Sequence, residues 1–103
     1  MNFGISQENL DFITQAIGNY ADIDSASIFG SRAMGNYKST SDIDISIKGN
    51  LKDTTAGSLL NFLNNASPFA YKVDVLDYNV ISNLELKKHI DEFGKVIFER
   101  SRN

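Results

Sequence analysis

The chain has 103 residues, of which 42% are hydrophobic and 22% are charged, a balance typical of a folded domain. The formal net charge of −3 disfavours a long nucleic-acid substrate, because proteins that grip duplex phosphates usually carry a basic stripe. The chain has no cysteine, which excludes disulfides and thiolate zinc sites. We expect one domain over residues 1–103, soluble and cytoplasmic, since neither a signal peptide nor a membrane-spanning apolar stretch is visible.

The first half of the chain is predicted to run from a helix into two strands. Apolar residues at helical spacing predict a helix over residues 7–20, which Ser6 can cap. A short strand over 25–29 stops at Gly30. After a polar loop, residues 42–48 alternate strictly between polar side chains and isoleucine, which is the clearest strand pattern in the chain.

The second half repeats this alternation of helix and strand. A helix over 54–65 precedes an alternating strand over 70–76. Ser82 and Glu85 form an S-x-x-E capping box for a last helix, and Gly94 suits its end. A short edge strand is then predicted over residues 95–100. The order predicts an α+β (α/β-like) single domain with helices packed on one face of a small sheet.

Three aspartates are the candidate metal ligands. Asp42 and Asp44 project from the same face of a strand about 7 Å apart, given the rise of a strand. Two fixed carboxylates repel each other, and Mg²⁺ prefers such hard oxygen ligands. If the strand carrying Asp74 lies beside them, three carboxylates converge, and such a cluster can hold two metal ions for displacement at phosphorus.

A candidate phosphate-binding turn precedes these carboxylates. Gly30 and Ser31 follow a strand end, where glycine lets the backbone approach a phosphate closely and Ser31 adds a hydroxyl donor. The turn lies about a dozen residues before the aspartate pair, in a strand–turn–strand context. We therefore predict a site where phosphate groups meet metal ions.

The segment FGSRAMGNYKSTSDIDISI, residues 29–47, resembles the signature of the DNA polymerase β-like nucleotidyltransferases. Its Gly-Ser-Arg-Ala and Ser-Asp-Ile-Asp runs are similar to the minimal nucleotidyltransferase (MNT) branch, as are Asp74 within KVDVLDY and the closing FGKVIFER. The resemblance covers most of the chain. It implies the nucleotidyltransferase fold, with a small mixed β-sheet.

The resemblance also implies roles for the matched residues. Asp42 and Asp44 would bind two Mg²⁺ ions, and Asp74 would complete the site of the ion that activates the nucleophile. Gly30 and Ser31 would bind the triphosphate of ATP.

Arg32 follows the Gly-Ser pair as in the MNT branch, where it would contact the phosphates or stabilise the loop. Met34 stands where members of that branch often carry a second arginine, so affinity or substrate choice can differ. MNT proteins are commonly antitoxins paired with a helical HEPN toxin. They transfer AMP from ATP to a tyrosine of that toxin. The resemblance thus implies ATP as donor and a HEPN-type protein as partner, with homo- or hetero-oligomers both open.

Other polar residues receive plainer interpretations. His89 lies among charged residues of the last helix and is read as a surface residue. Tyr37 and Tyr78 can stack on a base or lie in an interface, and Lys72 can reach a phosphate or remain solvated.

Three functions stay open at this point. The first is a Mg²⁺-dependent protein adenylyltransferase. The second is a non-catalytic module that neutralises a HEPN toxin by binding it. The third is a small-molecule nucleotidyltransferase of the aminoglycoside type, ranked last because such enzymes usually carry an additional domain for the acceptor. The retained Asp42, Asp44 and Asp74 favour the enzyme, since a pure binder is free to lose one of them.

Overall fold

The computed structural model describes residues 2–66 and 69–101. Its elements, in chain order, are α1 Gln7–Gly18, β1 Ile23–Phe29, α2 Ser31–Met34, β2 Ile43–Gly49, α3 Thr55–Asn65, β3 Val73–Asp77, α4 Leu84–Phe93 and β4 Lys95–Glu99. A 3-10 turn, Tyr78–Val80, follows β3. The predicted order of helices and strands is therefore confirmed. None of the helices in these described ranges is long and apolar enough to cross a membrane.

The strands of the described residues form one mixed sheet in the order β3-β2-β1-β4. Strand β2 pairs antiparallel with β1 and parallel with β3, while β4 pairs antiparallel with β1. A parallel pair needs a crossover connection, and α3 supplies it between β2 and β3. The sheet therefore places β2 directly between the strand that leads into Gly30 and the strand that carries Asp74.

The hydrophobic core lies on one face of the sheet. Ile43, Ile45 and Ile47 of β2 are fully buried on this face, as their strict alternation predicts. Helices α1 and α3 cover it with their apolar residues, among them Ile13, Ile17, Leu59 and Leu63. Burial of each such side chain stabilises the fold by about 1.5–3 kcal/mol, so this layer holds β2 rigidly in place.

Helix α4 packs against the other face of the sheet. Phe29 and Asp44 are register partners in the antiparallel pair, so their side chains share the face opposite the isoleucines. The ring of His89 in α4 meets the Phe29 ring edge-on, with centroids 6.2 Å apart. The helices α1 and α3 thus lie on one face as predicted, and α4 adds a contact on the face that carries the aspartates.

The start of α4 differs by one residue from the predicted capping box. Asn83, not Ser82, is the N-cap, and its side chain accepts a hydrogen bond from the N–H of Leu86. Asparagine and serine cap helices about equally well, so the local sequence alone does not choose between them. Gly94 ends the helix, as predicted.

Candidate active site

Asp44 and Asp74 lie side by side on neighbouring strands. They are direct partners in the parallel register of β2 and β3, so their side chains leave the same face of the sheet. Asp44 is half-buried and Asp74 is exposed. Asp42 lies immediately before β2, whose first residue, Ile43, is already held to β3 through a hydrogen bond from its N–H to the Lys72 carbonyl. The sheet therefore gathers the three predicted carboxylates at one corner.

Gly30 brings the predicted phosphate turn against this corner. It follows Phe29, the register partner of Asp44, and has φ +73° and ψ −154°. A Cβ atom at this position would collide with Oδ2 of Asp44, and L side chains rarely adopt this φ. Only glycine therefore allows the chain to turn so closely beside the carboxylate.

Ser31 opens the single turn of α2. The carbonyl of Gly30 accepts hydrogen bonds from the N–H groups of Ala33 and Met34, which defines the turn. Within the described residues the Ser31 hydroxyl has no hydrogen-bond partner. It is half-buried beside Gly30 and remains available to donate to a bound anion.

The electrostatics of the corner favour a cation. Burial raises the pKa of the Asp44 carboxyl, and the negative charges of Asp74 and Asp42 raise it further. The Asp44 carboxyl would ionise more readily if a positive charge lay beside it. The donor set, oxygen atoms only, is the kind that Mg²⁺ prefers.

The three carboxylates do not already form a closed metal centre. Within residues 2–66 and 69–101, no group of three or more His, Cys, Asp or Glu side chains is arranged to hold a metal ion. Asp42 and Asp74 are exposed, so their side chains can change rotamer without repacking the core. The donor chemistry thus fits Mg²⁺, with Asp44 fixed by the sheet and the other two carboxylates free to turn toward an ion.

Arg32 is directed away from this corner and into the protein. Its side chain is 1% exposed, and its guanidinium donates hydrogen bonds to the carbonyls of Phe3, Ser39 and Ser41 at 2.8–3.3 Å. The ring of Tyr37 lies 5.2 Å from the guanidinium carbon. Of its two predicted roles, the geometry therefore favours stabilising the loop, since the guanidinium is committed to backbone oxygens and has little left for phosphates.

His89 is not the surface residue that the sequence suggested. It is half-buried, packs between the rings of Phe29 and Phe93, and accepts a hydrogen bond at Nε2 from the N–H of Gly30 at 3.0 Å. Its neighbours in sequence are charged, which favoured the surface interpretation. Its neighbours on the helix surface include Leu86 and Phe93, three and four residues away, and this apolar stripe is the signal that could have placed it at the site.

Tyr78 also finds its partners inside the chain. Its hydroxyl donates to Oδ1 of Asp91 at 2.6 Å, and the Lys48 ammonium lies 4.3 Å from its ring centroid. This contact fastens α4 to the end of β3, and so supports the position of His89.

Comparison with known proteins agrees with this geometry. The model of the family described as Polymerase beta, Nucleotidyltransferase matches residues 11–103. No match to a curated protein is significant. Several solved structures are similar in fold. One is a toxin–antitoxin complex with AMP-PNP, at 21% identity over 93% of this chain and 75% of that chain, with a TM-score of 0.70.

Two further solved structures are similar to this chain. The toxin–antitoxin MntA–HepT is 22% identical over 92% of this chain and 74% of that chain, with a TM-score of 0.68. The tri-AMPylated HEPN toxin of Shewanella oneidensis in complex with its MNT antitoxin is 22% identical over 93% of this chain and 74% of that chain, also with a TM-score of 0.68. At these identities the likeness demonstrates a shared fold, and the family match covers nearly the whole sequence. The chain belongs to the Polymerase beta, Nucleotidyltransferase family.

Proposed function

We propose that this chain is a Mg²⁺-dependent nucleotidyltransferase that transfers AMP from ATP to a protein acceptor. The observation that carries the proposal is the close approach of Gly30 to Asp44, with Asp74 as the register partner of Asp44 on the next strand. Gly30 has no side chain, so a triphosphate can approach the turn closely. The paired carboxylates beside it suit a triphosphate that arrives with its own divalent cations. Family membership supports the same reaction class.

In this proposal, one group of residues binds the metal ions and another binds the phosphates. Asp42, Asp44 and Asp74 would hold Mg²⁺, with two ions in the loaded site, and the metal would neutralise charge on the triphosphate and on the attacking hydroxyl. Gly30 and Ser31 would lie against the triphosphate, the glycine by allowing close approach and the serine by donating its hydroxyl. We infer that Arg32 supports the loop before Asp42 and does not contact the nucleotide.

The transfer itself exchanges one phosphorus–oxygen bond for another. The acceptor hydroxyl oxygen forms a bond to the α-phosphorus, and the bond between that phosphorus and the bridging oxygen to the β-phosphate breaks. AMP remains on the acceptor, pyrophosphate leaves, and the hydroxyl proton passes to a site carboxylate or to water. The chain contributes mainly position and charge, because the sheet fixes where the carboxylates stand before the substrate arrives.

We propose a HEPN toxin as the acceptor and an antitoxin role for the chain. The support is the likeness to an MNT antitoxin solved with a tri-AMPylated HEPN toxin and to a toxin–antitoxin solved with AMP-PNP. The exposed carboxylates at the sheet corner leave room for a protein acceptor, which would supply the remaining walls of the site. A cytoplasmic location fits this reaction, since it needs ATP and Mg²⁺.

The proposal is tested with radiolabelled ATP, Mg²⁺ and a helical HEPN-type protein as the acceptor, taken from the neighbouring reading frame where one is encoded there. Wild-type protein is expected to label the partner on tyrosine, and the double variant Asp42→Asn/Asp44→Asn is expected to lose about 10³-fold or more of the rate. Asp53→Asn, an exposed aspartate before α3, is the matched control and should keep the wild-type rate.

Two results would contradict the proposal in different ways. Equal neutralisation of the toxin by the wild type and the double variant, without label on the partner, would identify a binding antitoxin instead. Label on the partner from both proteins would show that the transfer takes place at another site.

A further inference from the structure

The amide of Gly30 makes a hydrogen bond that the transferase chemistry alone does not explain. Its N–H donates to Nε2 of His89, a residue 59 positions later in the chain, at 3.0 Å. The ladder between β1 and β2 ends one residue earlier, at the pair of Phe29 and Asp44. Beyond that pair, the orientation of the Gly30 peptide is therefore set by a side chain of α4.

His89 is itself held in a fixed orientation. Its ring lies edge-on to Phe29, with an interplanar angle of 74°, and 5.3 Å from the ring of Phe93. Helix α4 is anchored further along by the hydrogen bond from Tyr78 to Asp91. A ring packed between two aromatic side chains has few rotamers available, so it can serve as a fixed acceptor.

Gly30 needs such an acceptor because glycine has the most flexible backbone of all residues. Its φ of +73° is freely available to glycine, and so are several other conformations. Rotation of the peptide that precedes Gly30 would move the Gly30 N–H. It would also displace the Gly30–Ser31 turn, which lies against Asp44. A hydrogen bond from the Gly30 N–H to the packed His89 ring removes this freedom before a ligand arrives.

We propose that His89 is a positioning residue of the nucleotide site, which holds the Gly30–Ser31 turn ready for the triphosphate by accepting the Gly30 N–H at Nε2. The inference rests on the proposed function for its ligand, but the hydrogen bond is a property of the nucleotide-free protein. Since Nε2 accepts, the neutral imidazole carries its proton on Nδ1. His89 touches no reacting atom and acts only through the backbone of the turn.

Two variants separate the acceptor role from simple packing. His89→Gln places an amide oxygen near the position of Nε2 and retains an acceptor. His89→Phe keeps an aromatic ring against Phe29 and Phe93 but has no acceptor. Lys88→Gln, at the exposed neighbouring position, is the control for a substitution in α4.

Kinetics of AMP transfer supply the first measurement. His89→Phe is expected to raise KM for Mg·ATP about ten-fold and to change kcat much less, since one positioning hydrogen bond is lost before chemistry begins. His89→Gln and Lys88→Gln are expected to stay within about three-fold of the wild type. A His89→Phe protein that is folded and has the wild-type KM overturns the inference, and so does a folded His89→Gln protein that fails as His89→Phe does.

A magnetic resonance measurement on the wild type keeps the test independent of activity and of variant folding. A scalar coupling across the hydrogen bond is expected between the amide nitrogen of Gly30 and Nε2 of His89 in the nucleotide-free protein. Absence of this coupling, or a proton resident on Nε2, overturns the inference even if transfer is observed. A coupling without any transfer by the wild type contradicts the proposed function, and with it the nucleotide role of His89.

Discussion

Asp44 is the residue at which the fold and the proposed chemistry conflict most directly. The sheet half-buries its carboxyl beside Asp74, and burial followed by the charges of Asp74 and Asp42 raises its pKa. An acid whose pKa is raised on folding lowers the stability of the folded state at any pH where it is ionised. A bound divalent cation would remove this cost, which links metal binding to stability at a single side chain.

We therefore predict that Asp44→Asn abolishes transfer yet raises Tm at neutral pH in EDTA by about 3 °C, a small gain because solvent screens a half-buried carboxyl. Mg²⁺ should raise Tm of the wild type and leave that of the variant unchanged. Thermal unfolding with and without MgCl₂ measures both effects, with Asp53→Asn as the control. A lower Tm for Asp44→Asn in EDTA, or an equal Mg²⁺ response, would contradict this account.

Arg32 acts through its shape as much as through its charge. Its guanidinium bonds the carbonyls of Phe3, Ser39 and Ser41, and an ammonium group cannot reproduce that planar fork. Arg32→Lys is expected to lower the free energy of unfolding in urea by about 2–3 kcal/mol, because buried and partly buried carbonyls lose their donors. The converse exchange Lys38→Arg, at an exposed position of the same loop, should change it by less than about 0.5 kcal/mol. If the two exchanges changed the free energy of unfolding equally, Arg32 would not be the residue that stabilises the loop.

At the scale of elements, the end of α3 sets the start of β3. The Asn64 side chain pairs with the Val73 backbone at both N–H and carbonyl, each at 2.8 Å, directly before Asp74. Asn64→Ala is expected to cost about 1–2 kcal/mol of stability and to weaken Mg·ATP binding, because the strand carrying Asp74 loses its tether. The matched control is Asn65→Ala, whose amide bonds, among the described residues, only Asn61 of the same helix. Calorimetry of unfolding measures the stability, and calorimetry of nucleotide binding measures the affinity for Mg·ATP. A wild-type affinity for Mg·ATP in Asn64→Ala would show that these hydrogen bonds do not support the site.

The start of α3 is held by a carboxylate that should be visible in acid. Asp22 accepts hydrogen bonds from the Thr55 hydroxyl and from the Lys52 N–H, and these lower its pKa. A lowered acid pKa contributes stability that is present above the ordinary value and is lost as the pH falls through the lowered one. Asp22→Asn should thus cost about 1 kcal/mol at neutral pH and flatten the loss of stability in acid. Unfolding measured from pH 7 to pH 2 tests this, with Asp53→Asn expected to follow the wild-type curve.

At the scale of the whole molecule, local patterns predicted the elements and tertiary contacts decided the details of the site. The isoleucine alternation of β2 identified a strand with one buried face, because side-chain period is a local property. The pairing of Asp44 with Asp74 was conditional on two strands being neighbours, which no local pattern specifies. His89 was misjudged for the same reason, since the face on which α4 docks depends on the sheet below it.

The role of Arg32 was likewise decided by contacts between distant parts of the chain. The sequence offered two roles for this arginine, and both rested on its position after Gly30 and Ser31. Its backbone partners lie up to 29 residues away, at Phe3, so only the folded chain distinguishes them. Motifs therefore predicted which residues gather at the sheet corner, and packing decided that Arg32 turns away from it.

The most direct test of the central claim is a crystal structure of this chain with Mn²⁺ and a non-hydrolysable ATP analogue. Anomalous scattering is predicted to place manganese in contact with carboxyl oxygens of Asp44 and Asp74, with the triphosphate lying against the Gly30–Ser31 turn. Nucleotide bound at another surface, or a triphosphate at the turn without metal on either aspartate, would contradict the account.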